Sequence, residues 1–270
     1  MQTKSIDFSK YSSFKLGPTK EVAILESKNA NLPIKEYFLI GACNNVLISN
    51  DPPPLMMLGK AFDYIKIEDN KLLIGGATPS GKIASFCKKH NIANFEFLSH
   101  LPGKLGGLVK MNAGLKAYEI FNHLSQIETL SRTIKKEHID YGYRYAAIDE
   151  PILEASFHLT QGFDTKKVAM FKEMRSNQPA TPSAGSCFKN PKGDYAGRLI
   201  EAVGLKGSMR GDISFSTKHA NFLVNMNNGK FEDALWLINE AKRRVQEEFG
   251  IALECEIVIL DREYMTQKES

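Results

Sequence analysis

Apolar positions follow a strand-like rhythm through much of the first half of the chain and a helical one through the second. Strands are therefore expected to dominate early and helices late, an α+β arrangement. "EVAILES" (21–27) and "YFLIGACNNVLIS" (37–49) read as strands, the second interrupted from Gly41 to Asn45. "KLLIGGATPSGKIASFCKKHNI" (71–92) reads as strand, turn and helix. Thr78 is the expected N-cap there, Pro79 takes the first helical position, and Ile83, Phe86 and Cys87 share a face. "ILEASFHLT" (152–160) alternates as a strand, and "TKKVAMFKEMRSNQ" predicts a helix from about Thr165 to Arg175. The prolines of "QPATPS" stop that helix and mark the best internal domain boundary.

Beyond that boundary, Asp194 is the expected N-cap of a short helix whose stripe Leu199, Ile200 and Val203 ends at Gly204. The longest predicted helix is "FEDALWLINEAKRRVQEEFG" (231–250). Ala234, Ile238, Ala241, Val245 and Phe249 recur in it at helical spacing, and Gly250 ends it. "IALECEIVIL" (251–260) closes the chain as a strand, with Glu254 and Glu256 on one face and Ile257 and Ile259 on the other.

Composition narrows the function classes. With 270 residues, 43% of them apolar, the chain can build two domains or one large one around a sizeable core. The net charge is +4 and no block of five basic residues occurs, so nucleic acid is not an expected partner, while a small anionic ligand remains open. The four cysteines, Cys43, Cys87, Cys187 and Cys255, lack zinc-ligand spacing, so no metal site is expected and free thiols in a reducing compartment are. "MQTKSIDFSK" lacks the apolar run of a signal peptide, and no stretch approaches the ~20 apolar residues of a membrane span. A soluble, cytoplasmic protein is expected.

Five stretches could carry chemistry. "LPGKLGGLVKMNAG" (101–114) packs four glycines and a proline into fourteen residues. It is either a tight turn or a concavity of backbone N–H groups suited to a pyrophosphate, and it matches neither GxGxxG nor a P-loop. "GACNNVL" offers Asn44 and Asn45 as turn residues or hydrogen-bond donors. In "YGYRYA", Arg144 lies among Tyr141, Tyr143 and Tyr145, either as a stacked surface side chain or as a bidentate ligand for an anion. Ser186, in "TPSAGSCFKNP", has no GxSxG elbow and no histidine at informative spacing, which argues against a nucleophile. Glu256 would sit on a solvated strand face unless something else is brought to it.

Taken in order, these segments resemble the UDP-N-acetylenolpyruvoylglucosamine reductase family. "SSFKLG", "GACNNVLIS", "FEFLSHLPGKLGGLVKMNAG", "YGYR", "PSAGSCFKNPKGDYAGRLIEAVGLKG", "STKHANFLVN" and "FGIALECEI" follow in family order across nearly the whole chain. The resemblance implies a flavoenzyme that reduces enolpyruvyl-UDP-GlcNAc to UDP-N-acetylmuramate in peptidoglycan synthesis, with FAD as cofactor and NADPH as reducing cosubstrate. It implies an FAD-binding portion of the vanillyl-alcohol-oxidase type over 1–175, split near 58 and completed by a C-terminal strand at 252–270. A smaller α+β substrate-binding domain is expected over 176–251. Arg144, Ser186 and Glu256 match the family's catalytic residues. Gly41, Asn44, Asn45, Pro102, Gly103, Gly106, Gly107 and Asn112 match flavin-binding positions, and Tyr143, Asn190 and Lys206 match substrate-binding ones. A nucleotide sugar is the implied partner, with no nucleic acid, membrane or obligate protein partner.

Three departures are visible. Cys43 and Asn44 stand where the family's first flavin loop usually has glycine and serine, and a side chain at Cys43 is expected to crowd a close backbone approach. Val258 replaces a usual arginine. The chain between Arg144 and Ser186 is too short for the tyrosine loop of the longer subclass, so it resembles the short one. The alternative left open is another flavin oxidoreductase of the same fold, against which "GSCFKNP" speaks.

Overall fold

A computed structural model describes residues 2–28 and 33–269, with only the backbone described for 267–269. The chain forms two compact units. The first takes the residues up to Lys4, Val22–Ala42 and Leu55–Ser176; the second takes Ser5–Glu21, Cys43–Pro54 and the chain from Asn177 onward.

In the first unit an antiparallel five-stranded sheet runs in the order Thr133–Lys135, Leu124–Glu128, Glu154–His158, Lys71–Gly75, Ile65–Glu68. The predicted alternation at 152–160 is what lays Ala155 and Phe157 into its core. Leu55–Leu58, buried throughout, pairs in parallel with both Thr19–Leu25 and Phe38–Leu39. The helix Ser80–Lys89 buries Ile83, Ala84 and Cys87. Its start differs from expectation by one residue: Pro79 is the N-cap, and the Thr78 hydroxyl donates to the Tyr64 carbonyl instead of capping. The helix Thr165–Met174 is capped by the Asp164 carboxylate, which accepts from the Lys166 N–H.

The second unit holds an antiparallel sheet in the order Ser183–Ser186, Phe222–Asn225, Ile213–Phe215, Met209–Arg210. The helices Ala196–Ala202 and Phe231–Phe249 complete its core. The long helix buries Ala234, Leu237, Ile238, Ala241 and Val245, as the spacing requires, and ends at Gly250 in the left-handed conformation (φ 66°). Phe249, assigned to the stripe, lies instead at the surface beneath the Arg198 guanidinium, 5.4 Å from it. The expected strand over 251–260 is regular only at Val258–Leu260, and residues 251–257 are irregular. Glu254 and Glu256 therefore do not share a strand face. Val258–Leu260 runs parallel to Val46–Ile48, directly after the Gly41–Asn45 loop, and both strands belong by packing to the second unit.

Candidate active site

Each unit gathers part of the expected residue set. In the first, Pro102 and Gly103 lead into the short helix Leu105–Lys110. Leu105, Leu108 and Val109 are buried, which anchors the turn and leaves Gly107 on its outer side. A side chain at Gly103 (φ 156°) would meet Leu108 at 2.8 Å, and one at Gly106 would meet the carbonyls of Gly76 and Ile152 at 3.3 and 3.4 Å. At Gly107 no atom lies within 4 Å of where a Cβ would stand. Gly41 lies beside the same segment, its Cβ position 3.9 Å from the Lys104 Cβ.

Asn112 follows that helix in a left-handed conformation (φ 43°) and is wholly buried. Its amide donates to the Glu119 carboxylate (2.8 Å) and the Gly142 carbonyl (3.0 Å), and its oxygen accepts from the Phe121 N–H (3.3 Å). The side chain, expected to contact cofactor, is thus engaged inside the protein, tying the glycine-rich segment to the hairpin Tyr141–Gly142/Tyr145–Ala146. Tyr143 and Arg144 form the two-residue turn of that hairpin. Arg144 is held at φ 57°, a region that costs a residue with a side chain about 1–2 kcal/mol. Its guanidinium donates to the Gly114 carbonyl at 3.0 Å and lies 5.0 Å from the Tyr143 ring.

In the second unit, Ser186 and Glu256 are joined through Cys187. The Cys187 carbonyl accepts from the Glu256 N–H (2.9 Å) and the Ile257 N–H (3.3 Å), and the Glu256 carbonyl accepts from the Asn45 amide (2.8 Å). The Asn45 carbonyl accepts from Val258 N–H at 3.0 Å, closing the register. Both Ser186 and Glu256 are half-buried, whereas Cys187, 1% exposed, is core packing. Burial pushes its thiol well above the usual range, so it is a poor nucleophile. Cys43 is buried too, at φ 51°, a conformation glycine takes without cost, which is a physical reason for glycine at that place in the family pattern.

Ser13, which sequence reasoning passed over, binds these pieces together. Its hydroxyl lies 2.8 Å from the Ser183 carbonyl and 3.2 Å from that of Asn44, and its N–H donates to Cys43. The signal was present in "SSFKLG", where an otherwise unexplained polar residue precedes the buried Phe14. The N-cap is Tyr195 and not the expected Asp194: Asp194 accepts from the Tyr195 N–H, and Asn190, reaching in from the preceding loop, accepts from the Ala196 N–H (3.1 Å). Lys206 pairs with Glu201 at 2.8 Å, an exposed contact that an anionic ligand can displace at little cost. Among the described residues, no cluster of His, Cys, Asp or Glu side chains could hold a metal ion, and no helix is long and apolar enough to cross a membrane.

Residues 177–260 match the family model for the C-terminal domain of UDP-N-acetylenolpyruvoylglucosamine reductase. The chain is 50% identical to the UDP-N-acetylenolpyruvoylglucosamine reductase of Helicobacter hepaticus, over 96% of this chain and 100% of that one. Identity to the Helicobacter pylori (strain J99) reductase is 44% at the same coverage. The crystal structure of the reductase from Thermus caldophilus superposes with a TM-score of 0.84 at 27% identity, covering 97% of this chain and 100% of that one. The fold is therefore the expected one, a vanillyl-alcohol-oxidase-type portion with a smaller α+β domain. A likeness that spans both chains end to end at this identity has one reading: the chain belongs to the UDP-N-acetylenolpyruvoylglucosamine reductase family of oxidoreductases.

Proposed function

We propose that the protein reduces the enolpyruvyl double bond of UDP-N-acetylglucosamine enolpyruvate to give UDP-N-acetylmuramate for peptidoglycan synthesis, with FAD as cofactor and NADPH as reductant. The observation that carries this reading is the Cys187 junction, which holds Ser186 and Glu256, two residue types the reaction needs, on adjoining backbone. When bound, FAD supplies a hydride drawn from NADPH to the terminal carbon of the substrate's double bond. The glycine-rich segment suits such a group: the open space at Gly107 would admit a pyrophosphate against the backbone, with Gly41, Pro102, Gly103 and Gly106 shaping that segment, and Asn44 and Asn45 are further flavin-binding candidates. Asn112 contributes by holding that segment to the Arg144 hairpin.

Hydride addition places negative charge on the adjacent carbon and its carboxylate, and the chain's residues must stabilise and then protonate it. Arg144 pairs with the carboxylate. Glu256 acts in its protonated form, because a second anion would repel the developing charge. The Ser186 hydroxyl delivers the proton to carbon; an alcohol serves because the acceptor is strongly basic and the geometry is fixed. Tyr143 and Asn190 hold substrate, and Lys206 exchanges Glu201 for the UDP diphosphate. Residues 1–175 with 252–270 would form the flavin-binding portion and 176–251 the substrate-binding one.

The test is Ser186→Ala in stopped-flow half-reactions. Flavin reduction by NADPH should persist, while reoxidation by the enolpyruvyl nucleotide should slow by about 10²-fold or more, the scale of one general-acid contribution. Equal slowing of both half-reactions would refute the proton-donor role.

A further inference from the structure

Asn221 is a polar side chain only 3% exposed, set in the run "KHANFLVN" just ahead of the strand Phe222–Asn225. An amide so placed is unfavourable unless all its hydrogen bonds are made. Here the oxygen and the nitrogen of the amide are both bonded, and to the same residue. The Asn221 oxygen accepts from the Phe188 N–H (2.9 Å) and its amide nitrogen donates to the Phe188 carbonyl (2.8 Å). The Asn221 backbone carbonyl accepts from the Cys187 N–H at 2.7 Å. A single residue thus grips the main chain immediately after Ser186 at three points.

The neighbouring ladder explains why a side chain is needed. Ser186 pairs with Phe222 in the sheet, but the register between Ser183 and Ser186 is irregular, and the strand ends at Ser186. Past that end Phe188 is bridged to Cys255 on one side, but on the side of the Phe222–Asn225 strand the ladder has stopped at the Ser186–Phe222 pair. The Asn221 amide, with a donor and an acceptor side by side, stands in for one strand residue and continues the pairing. On its other side the same stretch carries the Cys187 carbonyl that receives Glu256. Asn221 is itself fixed, because its N–H donates to His219 Nδ1 at 3.3 Å.

We infer that Asn221 is a positioning residue for carbon protonation, holding the Ser186–Cys187–Phe188 main chain so that the serine hydroxyl and Glu256 are presented together. This rests on the proton-donor reading of Ser186 and deepens it.

Asn221→Asp gives a readout that a merely structural role would not move. The ionised carboxylate keeps the acceptor for Phe188 N–H but sets a second lone pair against the Phe188 carbonyl; the protonated acid restores the donor. At pH 8, N221D should reoxidise with the enolpyruvyl nucleotide at least about tenfold more slowly than wild type, the scale of a misplaced reacting group. The ratio to wild type should recover as pH falls towards 5.5, with NADPH reduction of the flavin unchanged throughout. Asn221→Gln, which keeps the amide but moves it by one methylene, should show the same selective loss without pH recovery, and it serves if N221D does not fold at pH 8. Unfolding of N221D by urea gives a reading independent of turnover: the buried acid should make the variant more stable as pH falls through its raised pKa. Reoxidation at the wild-type rate in N221D and N221Q, or equal slowing of both half-reactions, overturns the inference. Ser186→Ala run alongside separates the two claims. If S186A leaves reoxidation intact, the serine reading falls; if S186A slows it and the Asn221 variants do not, only the role of Asn221 falls.

Discussion

Gly107→Ala separates folding from cofactor binding. The residue is the third of the helix Leu105–Lys110, on its exposed side, and an added methyl would meet no atom within 4 Å. Alanine is a better helix former than glycine by about 1 kcal/mol, so the apoprotein should be unchanged or more stable by about 0.5–1 kcal/mol. The flanking glycines cannot serve: Gly103 would drive a methyl into Leu108 at 2.8 Å, and Gly106 would press one onto two backbone carbonyls at 3.3 and 3.4 Å. If a pyrophosphate lies against Gly107, the same methyl displaces it. Losing one hydrogen bond to a charged group costs about 1.5–3 kcal/mol, or roughly 10- to 150-fold in the Kd for FAD. The assay is titration of apoprotein with FAD, followed by quenching of flavin fluorescence, with a urea melt of the same sample. Wild-type affinity in a fully folded G107A would show that the segment is a structural turn and not a cradle. Loss of stability along with affinity would show that the open space had been misjudged.

Asn112→Ala removes the three hydrogen bonds of a buried amide and leaves the Phe121 N–H, the Gly142 carbonyl and Glu119 without their amide partner; it should lower stability by about 2–4 kcal/mol in urea denaturation. A loss below about 0.5 kcal/mol, the size of a surface change, would contradict its assignment as the link to the Arg144 hairpin. Stability should also depend on pH through His123 and His219, both held below the ordinary imidazole value chiefly by burial, with nearby lysines acting in the same direction. The unfolded chain takes up these protons near pH 6.5 and the folded one only lower, so this contribution is present above about 6.5 and lost as pH falls through the folded values. Urea midpoints between pH 7.5 and 5 should fall less steeply in the double variant H123N/H219N; an unchanged slope would refute the assignment.

Local patterns in the sequence determined the three longest helices and the places where they stop, but not the helices Leu105–Lys110 and Arg262–Glu269, the second of which lies in the expected C-terminal strand 252–270. Periodicity and end signals located Ser80–Lys89, Thr165–Met174 and Phe231–Phe249, and Gly250 takes the left-handed cap that its residue type permits. These are short-range effects, set within a turn or two of chain, so they are visible without a fold. The order of motifs likewise carried the family. The tertiary structure alone decided what the motif residues touch. The chain from Ile251 to Ile257 alternates like a strand but is bent to bring Glu256 to Cys187 and to the Asn45 amide, partners 69 and 211 positions away. Asp194 is a good cap residue by type, yet the helix starts after Tyr195, and only the path of the loop gives the Ala196 N–H to Asn190. Asn112 and Asn221 look alike in sequence to the amides of any turn. Their burial, and so the need to satisfy every polar atom, arises only when distant segments close over them. Contacts across such separations depend on how the whole chain collapses, and no local period records them.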